Sequence, residues 1–194
     1  VLLDDNYKAK ISDFGLAKLM TREQSRVVTV LRGTRGYLAP EWVTNKPISE
    51  KSDVYSFGMV LLEIIGGRRN YNPAESSEKT YLPIYALKMM EEGKLKEILD
   101  SKLNIDEGDN RVFTATKVAL WCIQGDMSLR PSMEKVVQML ERLCAVPQPP
   151  SSSQMGFHFF ENFVRQIREK SAMPGPSHCH SDANVSNLQL SGPR

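Results

Sequence analysis

The residues that most clearly could bind a metal ion or take part in a reaction lie near the start of the chain. Asp13, Phe14 and Gly15 directly follow two short apolar runs, and the turn-rich residues between those runs predict a β-hairpin. A carboxylate at the end of a strand suits Mg²⁺, a hard cation that prefers oxygen ligands, and Gly15 permits a sharp backbone turn. An ordinary turn after a strand would contain the same three residues, so the rest of the sequence has to decide between the two interpretations.

Three further motifs follow this tripeptide in order. They are GTRGYLAPEW at residues 33–42, SDVYSFG at residues 52–58, and Arg130-Pro131. The four elements together resemble the second half of a protein kinase domain. The sequences of these motifs, together with WCIQ at residues 121–124, are similar to those of plant receptor-like serine/threonine protein kinases. Among these they most resemble the G-type lectin S-receptor-like kinases. The resemblance covers the chain from Val1 to about Leu143.

The resemblance implies a mainly α fold: a protein-kinase-like C-terminal lobe with a short β-hairpin at the N-terminus, and with the N-terminal lobe absent. Apolar spacing predicts helices from Ser52, which we expect to cap its helix, to Gly66, then over 82–92, around 112–122, and from Ser132. The first is apolar nearly all round, which predicts a buried, central position. In the last helix we expect these residues to be buried: Met133, Val136, Val137, Leu140 and Leu143.

The composition changes at Pro147, where prolines and serines predict a linker. We therefore expect a partial protein kinase domain over residues 1–146 and a Pro/Ser-rich tail over residues 147–194. Within the tail, residues 157–170 carry apolar side chains at helical spacing and predict a short helix. Residues 174–194 have the composition of a disordered segment.

Bulk composition excludes several classes of protein. The net charge of +2, from 25 basic and 23 acidic residues, gives no case for nucleic acid as a partner. The 3 cysteines lack CxxC spacing and favour a reducing compartment over a disulfide framework. No apolar run approaches the roughly 20 residues that cross a bilayer. We therefore expect a soluble chain. The resemblance to receptor-like kinases implies a parent that is anchored through a segment not present here, at the cytoplasmic face of the plasma membrane.

On the nucleotide side, the resemblance implies ATP and Mg²⁺ as cofactors. Asp13 would coordinate the Mg²⁺ that bridges the ATP phosphates. Leu2 matches the family position beneath the adenine ring, and Ser12 matches the residue beside the nucleotide. Considered without the resemblance, Leu2 would be a core residue in any fold.

On the substrate side, the resemblance implies protein substrates phosphorylated at Ser or Thr. Thr34 matches the hydroxyl that meets the catalytic aspartate in the active state. Ser25 and Thr29 lie in the activation segment, where phosphorylation would add a charge that orders the loop. Both are otherwise plain solvated loop residues.

Three further implied roles are structural. Glu41 would pair with Arg130 and tie the activation segment to the helical core, and we expect this ion pair to be mostly buried. Asp53 would hydrogen-bond the backbone of the catalytic loop. Without the resemblance, Asp53 would merely favour the dipole of its helix, and Arg130 could be a surface charge at a helix edge.

The other kinase motifs are absent from the sequence: it contains no Gly-rich loop, no Val-Ala-Ile-Lys strand and no His-Arg-Asp loop. We therefore expect the catalytic loop to lie before Val1 and no catalytic residue within this chain. One interpretation is a fragment of a receptor-type serine/threonine kinase that transfers the ATP γ-phosphate but is inactive alone. The alternative is a truncated, non-catalytic kinase-like interaction module. In either case we expect exposed apolar side chains around Leu2, Ile11 and Phe14.

Overall fold

The computed structural model describes residues 1–12, 14, 36–44, 46–103, 105 and 109–150. Within these ranges the chain forms helices and one two-stranded antiparallel sheet, so the predicted mainly α fold with an N-terminal hairpin is confirmed. The elements are β1 (Leu2–Leu3), β2 (Ala9–Lys10), α1 (Pro40–Val43), α2 (Lys51–Gly66), α3 (Leu82–Glu91), a 3₁₀ turn (Leu95–Ile98), α4 (Arg111–Cys122) and α5 (Met133–Leu140).

Asp4 closes the turn of the hairpin. Its Oδ1 accepts hydrogen bonds from the backbone N–H of Lys8 at 2.9 Å and of Asn6 at 3.0 Å, and these bonds lower the pKa of Asp4. Leu2 in β1 lies opposite Lys10 in β2. Leu2 is not the core residue that it would be without the resemblance to kinases, because its side chain is 62% exposed. The described residues place no second layer against this two-stranded ribbon.

Helix α2 ends where its sequence predicts and begins differently. Gly67 adopts φ +60°, a left-handed conformation that suits glycine at the end of a helix. Ser52 was expected to cap the helix, and that expectation is wrong. Ser52 lies buried inside the first turn and donates its hydroxyl hydrogen to Glu41 Oε1 at 2.7 Å. The hydroxyl of Ser49 instead accepts a hydrogen bond from the first backbone N–H of the helix, at 3.3 Å.

Helix α2 lies at the centre of the described helices. It packs against α3 and α4, and α4 packs in turn against α5. Met59 is fully buried, which agrees with the predicted central position, but Ile64 is 68% exposed. Helix α2 is therefore buried on one side rather than all round, although its sequence is apolar on nearly every face.

Helix α5 begins where the sequence predicts, but it buries a different face. The Ser132 hydroxyl accepts a hydrogen bond from the backbone N–H of Lys135 at 3.2 Å, so the predicted helix start is confirmed. Val136 is buried as expected, and Met139, which the prediction missed, is buried with it. The helix ends at Leu140, and Arg142 then turns the chain with φ +63°. Three residues predicted to be buried are instead exposed: Met133, Val137 and Leu143.

Gly58 sets the distance between α2 and α4. A Cβ atom at this position would lie 2.6 Å from Cys122 Cβ and 2.8 Å from Ile123 Cγ2. Replacing Gly58 by alanine should therefore destabilise the fold by about 1–3 kcal/mol, despite the better helix propensity of alanine. Urea denaturation measures this change. Gly66→Ala is a graded control with a smaller expected effect, since its nearest new contact is the flexible Leu82 side chain at 3.1 Å.

Candidate functional site

The structure describes some of the predicted site residues and not others. Those within the described ranges are Leu2, Ser12, Glu41, Asp53 and Arg130. Those outside the described residues are Asp13, Ser25, Thr29 and Thr34. Across the part of the chain that is described, no group of three or more His, Cys, Asp and Glu side chains could hold a metal ion.

The N-terminal segment that contains the predicted nucleotide contacts exposes apolar side chains. Leu2, Ile11 and Phe14 are 62%, 76% and 68% exposed, as expected from the sequence, and Ser12 is half-buried. Because Leu2 packs into no core, its side chain is available to lie against a flat ring. Asp13 lies outside the described residues, but a carboxylate is the type of oxygen ligand that Mg²⁺ prefers. The chemistry of these residues is therefore compatible with Mg-ATP.

The ion pair expected between Glu41 and Arg130 is present. Arg130 Nη1 donates to Glu41 Oε1 at 2.7 Å, and Arg130 Nη2 donates to Oε2 at 2.8 Å. This is a bidentate pair, the strongest arrangement for a guanidinium and a carboxylate. Glu41 is 2% exposed and Arg130 is 1% exposed. The pair therefore joins α1 to the segment before α5 across the interior of the protein.

Arg130 has further partners that fix its position. Its Nε donates to the Gln124 carbonyl oxygen at 2.7 Å, and its Nη1 donates to the Lys51 carbonyl oxygen at 2.9 Å. The guanidinium also lies 5.0 Å from the centroid of the Tyr55 ring, a distance at which the face of an aromatic ring attracts a cation. Burying a charge costs free energy unless it is paired and hydrogen-bonded, and here both conditions hold.

The environment of Glu41 keeps its carboxylate ionised. Burial favours the neutral acid, but hydrogen bonds and the positive charge of Arg130, with a hydrogen bond from Ser52, outweigh it. The pKa of Glu41 therefore lies below its ordinary value. The pair contributes stability above that ordinary pKa and loses its contribution as the pH falls through the lowered pKa.

A second network holds the segment of residues 36–41 against α2. The Tyr37 hydroxyl lies 2.9 Å from Glu63 Oε2 and 3.0 Å from Oε1, and it donates to this carboxylate. The Ser56 hydroxyl donates to the Tyr37 carbonyl oxygen at 2.8 Å. The Asn70 amide donates to the Gly36 carbonyl oxygen at 3.1 Å. These bonds fix the start of the segment, and the ion pair of Glu41 with Arg130 fixes its end.

Sequence reasoning missed this second network. In the sequence Glu63 interrupts an apolar run, and in the structure its carboxylate also accepts the backbone N–H of Asn70 at 2.7 Å. Partial burial and the hydrogen bond to Glu63 raise the pKa of Tyr37. The available signal was an acidic side chain within an otherwise apolar helix, since such a side chain needs a partner.

Asp53 lies in the first turn of α2 and is exposed. Within the described residues its carboxylate accepts no hydrogen bond, and partial desolvation with the nearby Glu50 charge raises the pKa of Asp53. The predicted contact with a catalytic-loop backbone involves residues that are not in this sequence. That role remains a prediction.

These observations define a class of protein. Residues 1–140 match the protein kinase domain family, and the chain belongs to that family. The fold is that of a kinase-like C-terminal lobe, with an N-terminal hairpin and a buried ion pair between two kinase motifs.

The curated relatives narrow the class to plant receptor-like kinases. The chain is 62% identical to the G-type lectin S-receptor-like serine/threonine-protein kinase SD2-5 of Arabidopsis thaliana, over 100% of this chain and 24% of that protein. It is 46% identical to SD2-2 of the same species, over 77% of this chain and 20% of the relative. It is also 46% identical to LECRK4 of Oryza sativa subsp. indica, over 80% of this chain and 19% of the relative.

The chain thus spans about a quarter or less of the length of these relatives. Among the helices that the structure describes, none is both long enough and apolar enough to cross a membrane.

Proposed function

We propose that this chain forms part of a receptor-type serine/threonine protein kinase, which transfers the γ-phosphate of ATP to Ser and Thr hydroxyls of proteins. The observation that carries the proposal is the buried pair of Glu41 and Arg130, which joins two kinase motifs 89 residues apart. Such a pair fixes the segment of residues 36–41 on the helical lobe. It thereby gives a protein substrate a rigid surface on which to bind.

Within that protein, each predicted residue would act through its own atoms. The Asp13 carboxylate would hold Mg²⁺, Leu2 would lie beneath the adenine, and Ser12 would lie beside the nucleotide. Bound Mg-ATP would supply the phosphoryl group, and its Mg²⁺ would neutralise part of the negative charge of the phosphates. Thr34 would meet the catalytic aspartate, and Asp53 would position the backbone of the catalytic loop.

We further propose that the longer protein is anchored at the cytoplasmic face of the plasma membrane and phosphorylates protein partners there. The relatives are named as receptor-like kinases, which supports this placement. Fractionation of plant cells that express the full-length protein tests it. Recovery in the soluble fraction alone would contradict the proposal.

Ser25 or Thr29 is expected to be the principal phosphorylation site of the active kinase. A phosphate in this loop adds a charge of about −2 that arginine side chains can pair with, which orders the segment. Mass spectrometry of phosphopeptides from active full-length protein measures the site. Phosphate found only outside residues 20–35 would contradict this prediction.

The function itself is tested with the full-length protein, Mg-ATP and a generic protein substrate. Phosphoserine or phosphothreonine should form, and Asp13→Asn should abolish the transfer because the Mg²⁺ ligand is lost. If the full-length wild type binds partner proteins but transfers no phosphate, the protein is instead a non-catalytic interaction module.

A further inference from the structure

Arg69 is an exposed cation beside the segment of residues 36–41. It directly precedes Asn70, whose side chain donates to the Gly36 carbonyl oxygen at 3.1 Å and whose backbone N–H donates to Glu63 Oε1 at 2.7 Å. The first bond holds residue 70 on the segment and the second holds it on α2, so the adjacent Arg69 is kept near the segment. The positive charge of Arg69 interacts electrostatically with the Tyr37 hydroxyl and partly offsets the rise in the pKa of Tyr37.

Glu63 is the acidic side chain of this network among the described residues, and its carboxylate already has donors. It accepts one hydrogen from the Tyr37 hydroxyl, which lies 3.0 Å from Oε1 and 2.9 Å from Oε2, and one from the Asn70 N–H, so both of its oxygens contact a donor. Glu63 therefore has little capacity left to bind a basic side chain of a substrate. Arg69, in contrast, forms no ion pair or hydrogen bond with any other residue that the structure describes.

The neighbouring arginine differs in its environment. Arg68 is half-buried, its Nη1 donates to the Lys79 carbonyl oxygen at 2.8 Å, and its guanidinium lies 5.9 Å from the centroid of the Tyr85 ring. Arg68 is therefore used within the fold, whereas Arg69 leaves its charge beside the substrate-side segment. This contrast separates a structural arginine from one that is available to a ligand.

We propose that Arg69 is a specificity-determining residue that favours substrates with an anionic side chain close to the phosphorylated Ser or Thr. The anion would be a carboxylate or a phosphate already present on the substrate, since both pair with a guanidinium. The inference rests on the proposed kinase function and deepens it. It assigns a positive charge to the surface that faces the substrate, and the kinase motifs alone do not specify that charge.

The test uses the full-length kinase and a set of neutral peptides with one acceptor serine. Each position from three residues before to three residues after the serine carries Glu, phosphoserine, Gln or Lys in turn. At one position or more, Glu should give kcat/KM about two- to fivefold above Gln, the range expected of one exposed ion pair. The gain should lie mainly in KM and should shrink in about 1 M salt, where screening is strong.

Charge variants decide whether Arg69 causes the preference. Arg69→Gln should remove the discrimination between Glu and Gln, and Arg69→Glu should reverse it toward Lys. Lys135→Gln is the matched control, because it removes one exposed positive charge from α5, and it should change nothing. If phosphoserine gives a gain where Glu gives none, the anion is a phosphate.

The failure of this inference differs from the failure of the proposed function. If the wild type phosphorylates the peptides and Arg69→Gln discriminates as the wild type does, Arg69 does not determine specificity, and the kinase function stands. A preference for Lys near the serine in the wild type would overturn the inference in the same way. If the wild type phosphorylates neither itself nor any peptide, the proposed function fails, and this inference fails with it.

Discussion

Replacing Arg130 by methionine should lower the free energy of unfolding by about 3–5 kcal/mol at neutral pH, because it leaves a buried carboxylate without its counter-charge. In the variant, Glu41 loses both hydrogen bonds to the guanidinium and keeps the one from the Ser52 hydroxyl, at 2.7 Å. The backbone carbonyls of Gln124 and Lys51 also lose the hydrogen bonds that Arg130 donates to them. Urea denaturation followed by circular dichroism measures the change.

The destabilisation by Arg130→Met should depend on pH. In the wild type the pKa of Glu41 is lowered, so the stabilising contribution of the pair declines as the pH falls through that lowered pKa. In the variant, burial without a cation should raise the pKa of Glu41, so protonation relieves the unpaired charge as the pH falls. Both trends act in the same direction. The difference in stability between wild type and variant should therefore be largest near pH 7 and smaller near pH 4.

Matched variants separate the ion pair from general packing. Glu41→Gln leaves a buried guanidinium that still has its carbonyl partners and Tyr55, so we expect a smaller loss than for Arg130→Met. The double variant should lose less than the sum of the two single losses, because removing both charges leaves no unpaired ion. A melting temperature for Arg130→Met equal to that of the wild type would contradict the buried pair.

Local rules and motif order were sufficient to predict much of this fold. The start of α5 after Ser132 and the end of α2 at Gly66 are decided by chemistry within a few residues of each element. The partnership of Glu41 and Arg130 spans 89 residues. No periodicity could reveal it, and it was predicted from the resemblance to kinases.

The errors arose where tertiary packing decided between faces that local pattern treats as equal. Helix α5 carries apolar residues on more than one face, and packing against α4 selected Val136 and Met139 while Met133 and Val137 stayed exposed. Ser52 is a residue type that often caps helices, yet its hydroxyl donates a hydrogen bond to the buried carboxylate of Glu41 instead. The contact of Tyr37 with Glu63 joins a loop to a helix 26 residues away, which a single sequence does not show.

The polypeptide of residues 1–194, expressed alone, is expected to transfer no phosphate. Phosphoryl transfer by protein kinases depends on a covering Gly-rich loop, a lysine, two metal ligands and a base, which together position the groups and neutralise charge. Of these parts, the sequence contains only the carboxylate of Asp13. The expected result is a rate no higher than that of a blank reaction.

A single carboxylate does not hold Mg-ATP in place, because Mg²⁺ gives up its water reluctantly and needs several well-placed ligands. The neighbouring Leu2 and Phe14 are 62% and 68% exposed, so they offer contact area but no enclosure that would exclude water. The assay supplies purified residues 1–194 with radiolabelled ATP, Mg²⁺ and a generic protein substrate. Asp13→Asn, purified in the same way, controls for contaminating kinases. Phosphate incorporation above background that Asp13→Asn abolishes would contradict this prediction. It would show that residues 1–194 carry their own catalytic machinery, although the sequence lacks the Gly-rich loop, the lysine and the base.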